Sequence, residues 1–230
     1  MLKQGVAELG ISLTFPQVEK FLIYLEELKK WNKKFNLTSI TEDKDIIVKH
    51  FIDSLSCLLV MEKRQESLVD IGAGAGFPSI PLKIAVPHIR CTLIEARKKK
   101  ALFLNHLVKK LSFEDVRIIN KRAEEVAHEK ERESYDVAVG RAVAPFNVLL
   151  EYAIPLLKVG GILIAQKGKN KEDIKKAENA LKILGAEIKK VEKITLPILN
   201  LPRKLIVVQK TASTPSGYPR RPGIPQKRPL

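Results

Sequence analysis

Between residues 70 and 78 a glycine stands at every second position: Asp70-Ile71-Gly72-Ala73-Gly74-Ala75-Gly76-Phe77-Pro78. The stretch follows the apolar run Leu68–Ile71 and precedes a helix predicted to open near Ser79 to Pro81. Glycine permits sharp reversals and lets a ligand come close to the backbone. A strand, a glycine turn and a helix in succession form the nucleotide-holding join of doubly wound α/β sheets, at the carboxyl edge of the strands. The rest of the chain keeps that rhythm. Cys91–Ile94, Val116–Ile119, Tyr135–Val139 and Ile162–Ala165 are short and almost continuously apolar, as strands buried on both faces must be. Helical segments are predicted between and after them at Lys98–Lys110, Asn147–Leu157 and Glu172–Leu184, the last stopped by Gly185. Two further runs, Ile188–Leu196 and Leu205–Gln209, are joined through Pro197 and Pro202 and predict a closing hairpin-like pair. The expectation is a mostly parallel, seven-stranded sheet over residues 65–210.

What precedes and follows that core differs in kind. Residues 1–64 read as a helical cap. Thr14 caps a helix entered through Pro16, with an apolar stripe at Val18, Phe21, Leu22, Leu25, Leu28 and Phe35, and a second helix is predicted over Asp45 to Val60. Residues 211–230 are rich in Pro, Gly, Arg and Lys and predict an extended tail. The 230-residue chain carries a formal net charge of +15. That excess is uneven. No Asp or Glu follows Glu192, whereas Arg203, Lys204, Lys210, Arg220, Arg221, Lys227 and Arg228 do, and Arg97–Lys100 forms a second basic block. Such concentration favours a polyanion, nucleic acid first. Cys57 and Cys91 lie in apolar surroundings without ligand or disulfide spacing and are expected in the core. No leader-like start and no bilayer-length apolar run is present, so a cytoplasmic, membrane-free protein is expected.

The chemistry starts from the glycine turn. Its spacing does not complete the dinucleotide pattern G-x-G-x-x-G, because the third glycine falls at Ser79 or at Phe77. With Asp70 in front, the turn is similar to the first motif of class I (Rossmann-like) methyltransferases. Glu95 ends the second strand about twenty residues past the turn, where a carboxylate grips ribose hydroxyls. Asn120-Lys121-Arg122-Ala123-Glu124 follows the third strand and is placed beside an adenine ring, whose amine its backbone can read. Gly140-Arg141-Ala142 follows the fourth strand. Arg141, an arginine ending a buried strand, needs an acceptor: a ligand carboxylate, a substrate phosphate or a local acid. His50, His88, His106 and His128 have no metal spacing, and no metal is expected. Neither an Asn/Asp-Pro-Pro-Tyr/Phe motif nor a Pro-Cys nucleophile is present. A methyl acceptor with its own lone pair needs neither, only alignment and exclusion of water. Guanine N7 is one such atom.

Nearly the whole chain resembles one family, the bacterial small-subunit ribosomal RNA methyltransferase G, or glucose-inhibited division protein B, family. The resemblance is carried by Trp31-Asn32, Asn36-Leu37-Thr38, His50–Leu55, Asp70–Pro81, Glu95–Lys99, Arg122-Ala123-Glu124, Arg141–Ala144, Lys167-Gly168 and, most particularly, Tyr218–Pro225. It implies S-adenosylmethionine as cofactor and transfer of its methyl group to N7 of one guanine in a 16S ribosomal RNA loop near the decoding site. It places Gly72, Phe77, Ala123, Glu124 and Arg141 against the cofactor, beside the glycine turn's Gly74 and Gly76 and the ribose-binding Glu95. No side chain is assigned a certain catalytic role; Arg141 is a candidate for orientation. Ser79 stands where the family usually has Gly, and Gly140 where Ala or Ser is commoner, which predicts small changes of turn geometry. The target guanine must lie in a loop or leave its stack, because N7 of a duplex is out of reach. Asn36, His50, Lys167, Arg220 and Arg221 are the candidate RNA contacts, and loss of the tail is expected to weaken RNA binding alone. Two other readings stay open on residues alone: an NAD-dependent oxidoreductase, and a nucleic-acid-binding protein with a silent methyltransferase fold. A monomer is expected.

Overall fold

The computed structural model describes residues 1–62, 65–167 and 174–230. Seven strands form one sheet: β1 (Ser67–Ile71), β2 (Arg90–Ile94), β3 (Val116–Ile119), β4 (Tyr135–Arg141), β5 (Leu157–Lys167), β6 (Ala186–Leu196) and β7 (Leu201–Lys210). Their spatial order is β3-β2-β1-β4-β5-β7-β6. The first five pair in parallel, while β7 runs antiparallel to both β5 and β6. Every strand expected from the sequence is present. The largest differences are the earlier starts of β5, at Leu157, and of β7, at Leu201. The closing pair is a true hairpin, turning at Pro197–Asn200. An all-parallel dinucleotide sheet has no such inserted antiparallel strand.

Side chains that alternate along each strand divide the core into two layers. Leu68, Cys91, Leu93, Val137, Val139, Ile162, Ile164, Leu205 and Val207 pack on the cap side. There lie α1 (Leu2–Glu8), α2 (Phe15–Phe35), α5 (Ser79–Ala85) and α6 (Lys98–Lys110). Thr14 and Gln17 form a reciprocal capping box at the start of α2, and Asn36, at φ 48°, ends it. Phe21, Tyr24 and Leu28 fill the interface, but Leu22, expected in the same stripe, is 56% exposed and faces away from it. The second cap helix is a chain of short forms: α3 (Asp43–Ile46), a π turn at Ile47–Ile52, α4 (Asp53–Leu55) and a 3₁₀ turn at Ser56–Leu59.

The other layer holds α7 (Ala123–Val126), α8 (Phe146–Ala153) and α9 (Glu178–Leu184). The helix expected to reach Leu157 stops earlier: a 3₁₀ turn spans Ile154–Leu156 and Leu157 already belongs to β5. Gly185, at φ 73°, stops α9 as expected, while the expected start at Glu172 lies outside the described residues.

The C-terminal segment departs from expectation. It is docked on this layer, and it includes one short helix, α10 (Ile224–Lys227). Arg132 donates to the carbonyls of Thr214, Pro215 and Tyr218. Arg220 closes a two-pronged pair with Glu151, Nε to Oε1 at 2.8 Å and Nη2 to Oε2 at 2.6 Å, and its backbone N–H adds a third bond. Proline and arginine composition describes a free arm equally well. These buried acceptors make the segment a strap.

Candidate active site

The glycine turn crowns the carboxyl edge of β1 at the centre of the sheet. Gly72, Gly74 and Gly76 all have positive φ, 62°, 61° and 97°, a region closed to most other residues. They do different work. A side chain at Gly74 would meet nothing nearer than 3.8 Å, so this bend opens outward. A Cβ at Gly72 would crowd Val143 at 3.2 Å. One at Gly76 would strike Ile80 at 2.8 Å and the Tyr24 hydroxyl at 2.9 Å. Gly76 therefore serves the packing of α2 against the turn, a role distinct from the cofactor contact expected of it. Tyr24 also donates to the Ala75 carbonyl at 2.5 Å. Phe77 is sandwiched, stacked on Tyr24 at 5.2 Å and on His50 at 4.3 Å. Asp70, wholly buried beneath the turn, accepts the Ser79 N–H at 3.3 Å, and its second oxygen has no hydrogen-bond partner among the described residues. Burial pushes its carboxyl up to about 7, against the Ser79 bonds that pull it down. Ser79 is buried and makes this contact through its backbone N–H.

Glu95 sits beside the turn. Its two oxygens accept the backbone N–H groups of Gly74 at 2.8 Å and Arg97 at 2.7 Å. Asn120 ties the third strand's loop to it by donating to the Glu95 carbonyl at 2.7 Å. Ala123 opens α7, whose capping uses Arg122 and Glu125. Glu124 is turned to the strap: its carboxylate accepts the Gly223 N–H at 3.1 Å.

Arg141 lies on the other side of the turn. It is level with Gly72, since Asp70 pairs with Val139 across β1 and β4. Nη1 donates to the Lys49 carbonyl at 2.9 Å and to Asp53 at 3.2 Å, and Nη2 to His50 Nδ1 at 2.9 Å. Of the acceptors foreseen for Arg141, the structure supplies the local one, Asp53, on the cap. The π turn matters here, because it brings Lys49, His50 and Asp53 to a single guanidinium. Because guanidinium only donates, His50 Nδ1 must be an acceptor and Nε2 carries the proton, which goes to Thr38 Oγ1 at 2.9 Å. Burial, helped by the charge of Arg141, holds His50 down at about 3, so it stays neutral. Arg203 grips the other Asp53 oxygen at 3.2 Å. Burial still raises the Asp53 carboxyl above its ordinary value against the pull of both guanidiniums.

Beside Arg141 these residues line a cleft of about 480 Å³, with Ile40, Lys49, Gln166 and Lys167 completing its wall. Of the predicted RNA contacts, His50 and Lys167 meet here. Asn36 lines an adjoining hollow that shares Ile40. Arg220 and Arg221 do not join them: both belong to the strap on the opposite layer, and Arg220 is spent on Glu151. Asp53, Gln166 and Tyr24 carry no signal of their own in the sequence alone, and Arg203 only that of a basic cluster. Asp53 lay within the His50–Leu55 motif, but its partners are 88 and 150 residues away. Among the described residues no group of three His, Cys, Asp or Glu side chains is placed to hold a metal, and no helix is long and apolar enough to cross a membrane.

Known proteins share the fold and, in sequence, the family. A solved structure titled M. jannaschii TYW2 in complex with AdoMet superposes with a TM-score of 0.57 at 14% identity, covering 75% of this chain and 79% of that one. Precorrin-6y C5,15-methyltransferase from Geobacter metallireducens gives 0.50 at 18%, covering 76% and 90%. At such identities the likeness speaks for the class I methyltransferase fold. Sequence says more. The Ribosomal RNA small subunit methyltransferase G of Caldanaerobacter subterraneus subsp. tengcongensis is 48% identical across all of this chain and 97% of its own length. That of Alkaliphilus metalliredigens is 45% identical across 100% and 98%. The profile of rRNA small subunit methyltransferase G matches residues 17–202, and the chain belongs to that family.

Proposed function

We propose that this protein transfers the methyl group of S-adenosylmethionine to N7 of a guanine in a loop of 16S ribosomal RNA, near the decoding site. One observation carries the reading: in a chain of this family, the outward-opening bend at Gly74 with Glu95 beside it lies on the same sheet edge as a basic cleft at Arg141. The donor, when bound, supplies an electrophilic sulfonium methyl. The residues present fit it. The backbone at Gly74 leaves room for close approach, Glu95 offers a buried carboxylate to ribose hydroxyls, and Ala123 closes the adenine side. Arg141 orients. Three of its five N–H donors are engaged by the cap, and the remainder suit the methionine carboxylate.

A proton-abstracting base is not needed, and the described residues of the cleft offer none: His50 is neutral with both ring nitrogens engaged, and Asp53 is held by two guanidiniums. The protein's contribution is alignment and exclusion of water. The charged edge strand β6, with Lys189, Lys190 and Lys193, discourages strand pairing between copies, in keeping with a monomer that meets the small subunit in the cytoplasm. Calorimetric titration with S-adenosylmethionine, with NAD as control ligand, tests the cofactor assignment. Binding of the first alone is expected, and Glu95→Ala should weaken it about 10- to 100-fold, the worth of a charge-assisted hydrogen-bond pair. Binding of NAD instead would restore the oxidoreductase reading.

A further inference from the structure

We propose that Gln166 reads the target base, its Oε1 accepting a hydrogen bond from the donors of the guanine Watson–Crick edge in the cleft beside Arg141. This rests on the guanine-N7 reading above. Gln166 is 5% exposed, and its Oε1 is buried with no hydrogen-bond partner among the described residues. The amide is held in one sense, because Nε2 donates to the Asp53 carbonyl at 2.7 Å, and a carbonyl can only accept. Oε1 is thereby the unpaired atom of a side chain that lines the cleft. A buried acceptor of this kind calls for an explanation, and the position supplies one. Gln166 pairs with Arg141 across β4 and β5, so it stands two strands from the glycine turn along the same edge. Its alternation with Ile162 and Ile164 turns it to the cap side, towards Asp53.

Elimination sharpens the assignment. The cleft is rich in donors, with Arg141, Arg203 and Lys167 in its wall. Among the described residues its other side-chain acceptors are consumed. Both Asp53 oxygens take guanidiniums, and His50 Nδ1 takes Arg141 while Nε2 donates to Thr38. Guanine presents an acceptor at O6 and donors at N1 and the 2-amino group. Adenine reverses the first two and has only C–H at position 2, so an Oε1 set opposite N1 and the 2-position would face a lone pair and no donor. A site with one buried acceptor among donors rejects that alternative, because a buried polar group left unpaired is costly. N7 lies on a different edge and stays available for methyl transfer.

The test uses small subunits carrying guanosine, inosine or 2-aminopurine at the mapped target position, assayed with labelled S-adenosylmethionine. Inosine lacks the 2-amino group and 2-aminopurine lacks N1–H. On guanosine, Gln166→Leu is expected to lower kcat/KM about 10- to 100-fold with the Kd for S-adenosylmethionine unchanged. On at least one analogue the wild type and the variant should converge to within about twofold, since the contact is already missing. A purely structural role would cost the same factor on all three bases, and that result overturns the proposal. Gln166→Met serves in the same comparison if the leucine variant does not fold. Wild-type protein on the analogues is a further arm: full activity on both overturns the contact without any substitution. If the wild type leaves guanosine unmethylated, the functional reading falls and this inference with it.

Discussion

Asp70 shows how a single residue's environment can be read as a measurable slope. Its folded carboxyl, pushed to about 7 by burial, compares with an ordinary value of 3.8. Between those values the native state holds more protons than the unfolded chain, so this residue's contribution to stability falls as pH rises. Asn cannot ionise. Relative to wild type, Asp70→Asn should gain stability from pH 4 to 7 and level off above, by at most about 1.4 kcal/mol per unit. Denaturant unfolding at pH 5 and 8 checks it, and a constant difference would contradict the buried, protonated acid. His50 has the opposite sign: depressed from 6.5 to about 3, it withdraws stability as pH falls through that window. Sequence placed Asp70, Glu95 and Arg141 at strand ends by register alone. Their partners were hidden, because ends of buried strands are met by elements remote in sequence.

At the scale of elements, the clamp of α2 on the glycine turn decides the shape of the site. Tyr24 bonds the Ala75 carbonyl, stacks on Phe77 and abuts Gly76. Gly76→Ala meets both a positive φ of 97° and two contacts under 3 Å. Strain and overpacking together should cost about 2–4 kcal/mol, seen as a lowered denaturation midpoint and a weaker grip on S-adenosylmethionine. An unchanged midpoint would show that the turn and helix are not interlocked. The β rhythm was legible because strands buried on both faces are apolar throughout. The π turn at Ile47–Ile52 was not, since a one-residue widening changes no composition, yet it aims three acceptors at Arg141. Leu22 obeyed the helical period but overshot the width of the buried face.

For the whole molecule, the strap binds the last twenty residues to the layer beneath α8. Its charge suggested a nucleic-acid arm, because composition reports arginines without reporting their partners. Glu151 is fully buried and Arg220 is its partner. Arg220→Ala leaves that carboxylate uncompensated and should destabilise the protein by about 3 kcal/mol. Deletion after Lys210 should do more, lowering thermal stability and cofactor affinity together, since Gly223 also braces Glu124. Loss of RNA binding with both of these intact would restore the arm. The fold, the turn and the basic cleft's His50 and Lys167 could be read from sequence; the acceptors that organise the cleft required the folded chain. The most direct measurement incubates small subunits from cells lacking this protein with the purified chain and S-adenosylmethionine bearing a deuterated methyl. The 16S ribosomal RNA is then digested and its nucleosides are weighed by mass spectrometry. The account predicts one deuterated 7-methylguanosine per molecule, in a loop near the decoding site; label in another base, or none while the cofactor binds, would contradict it.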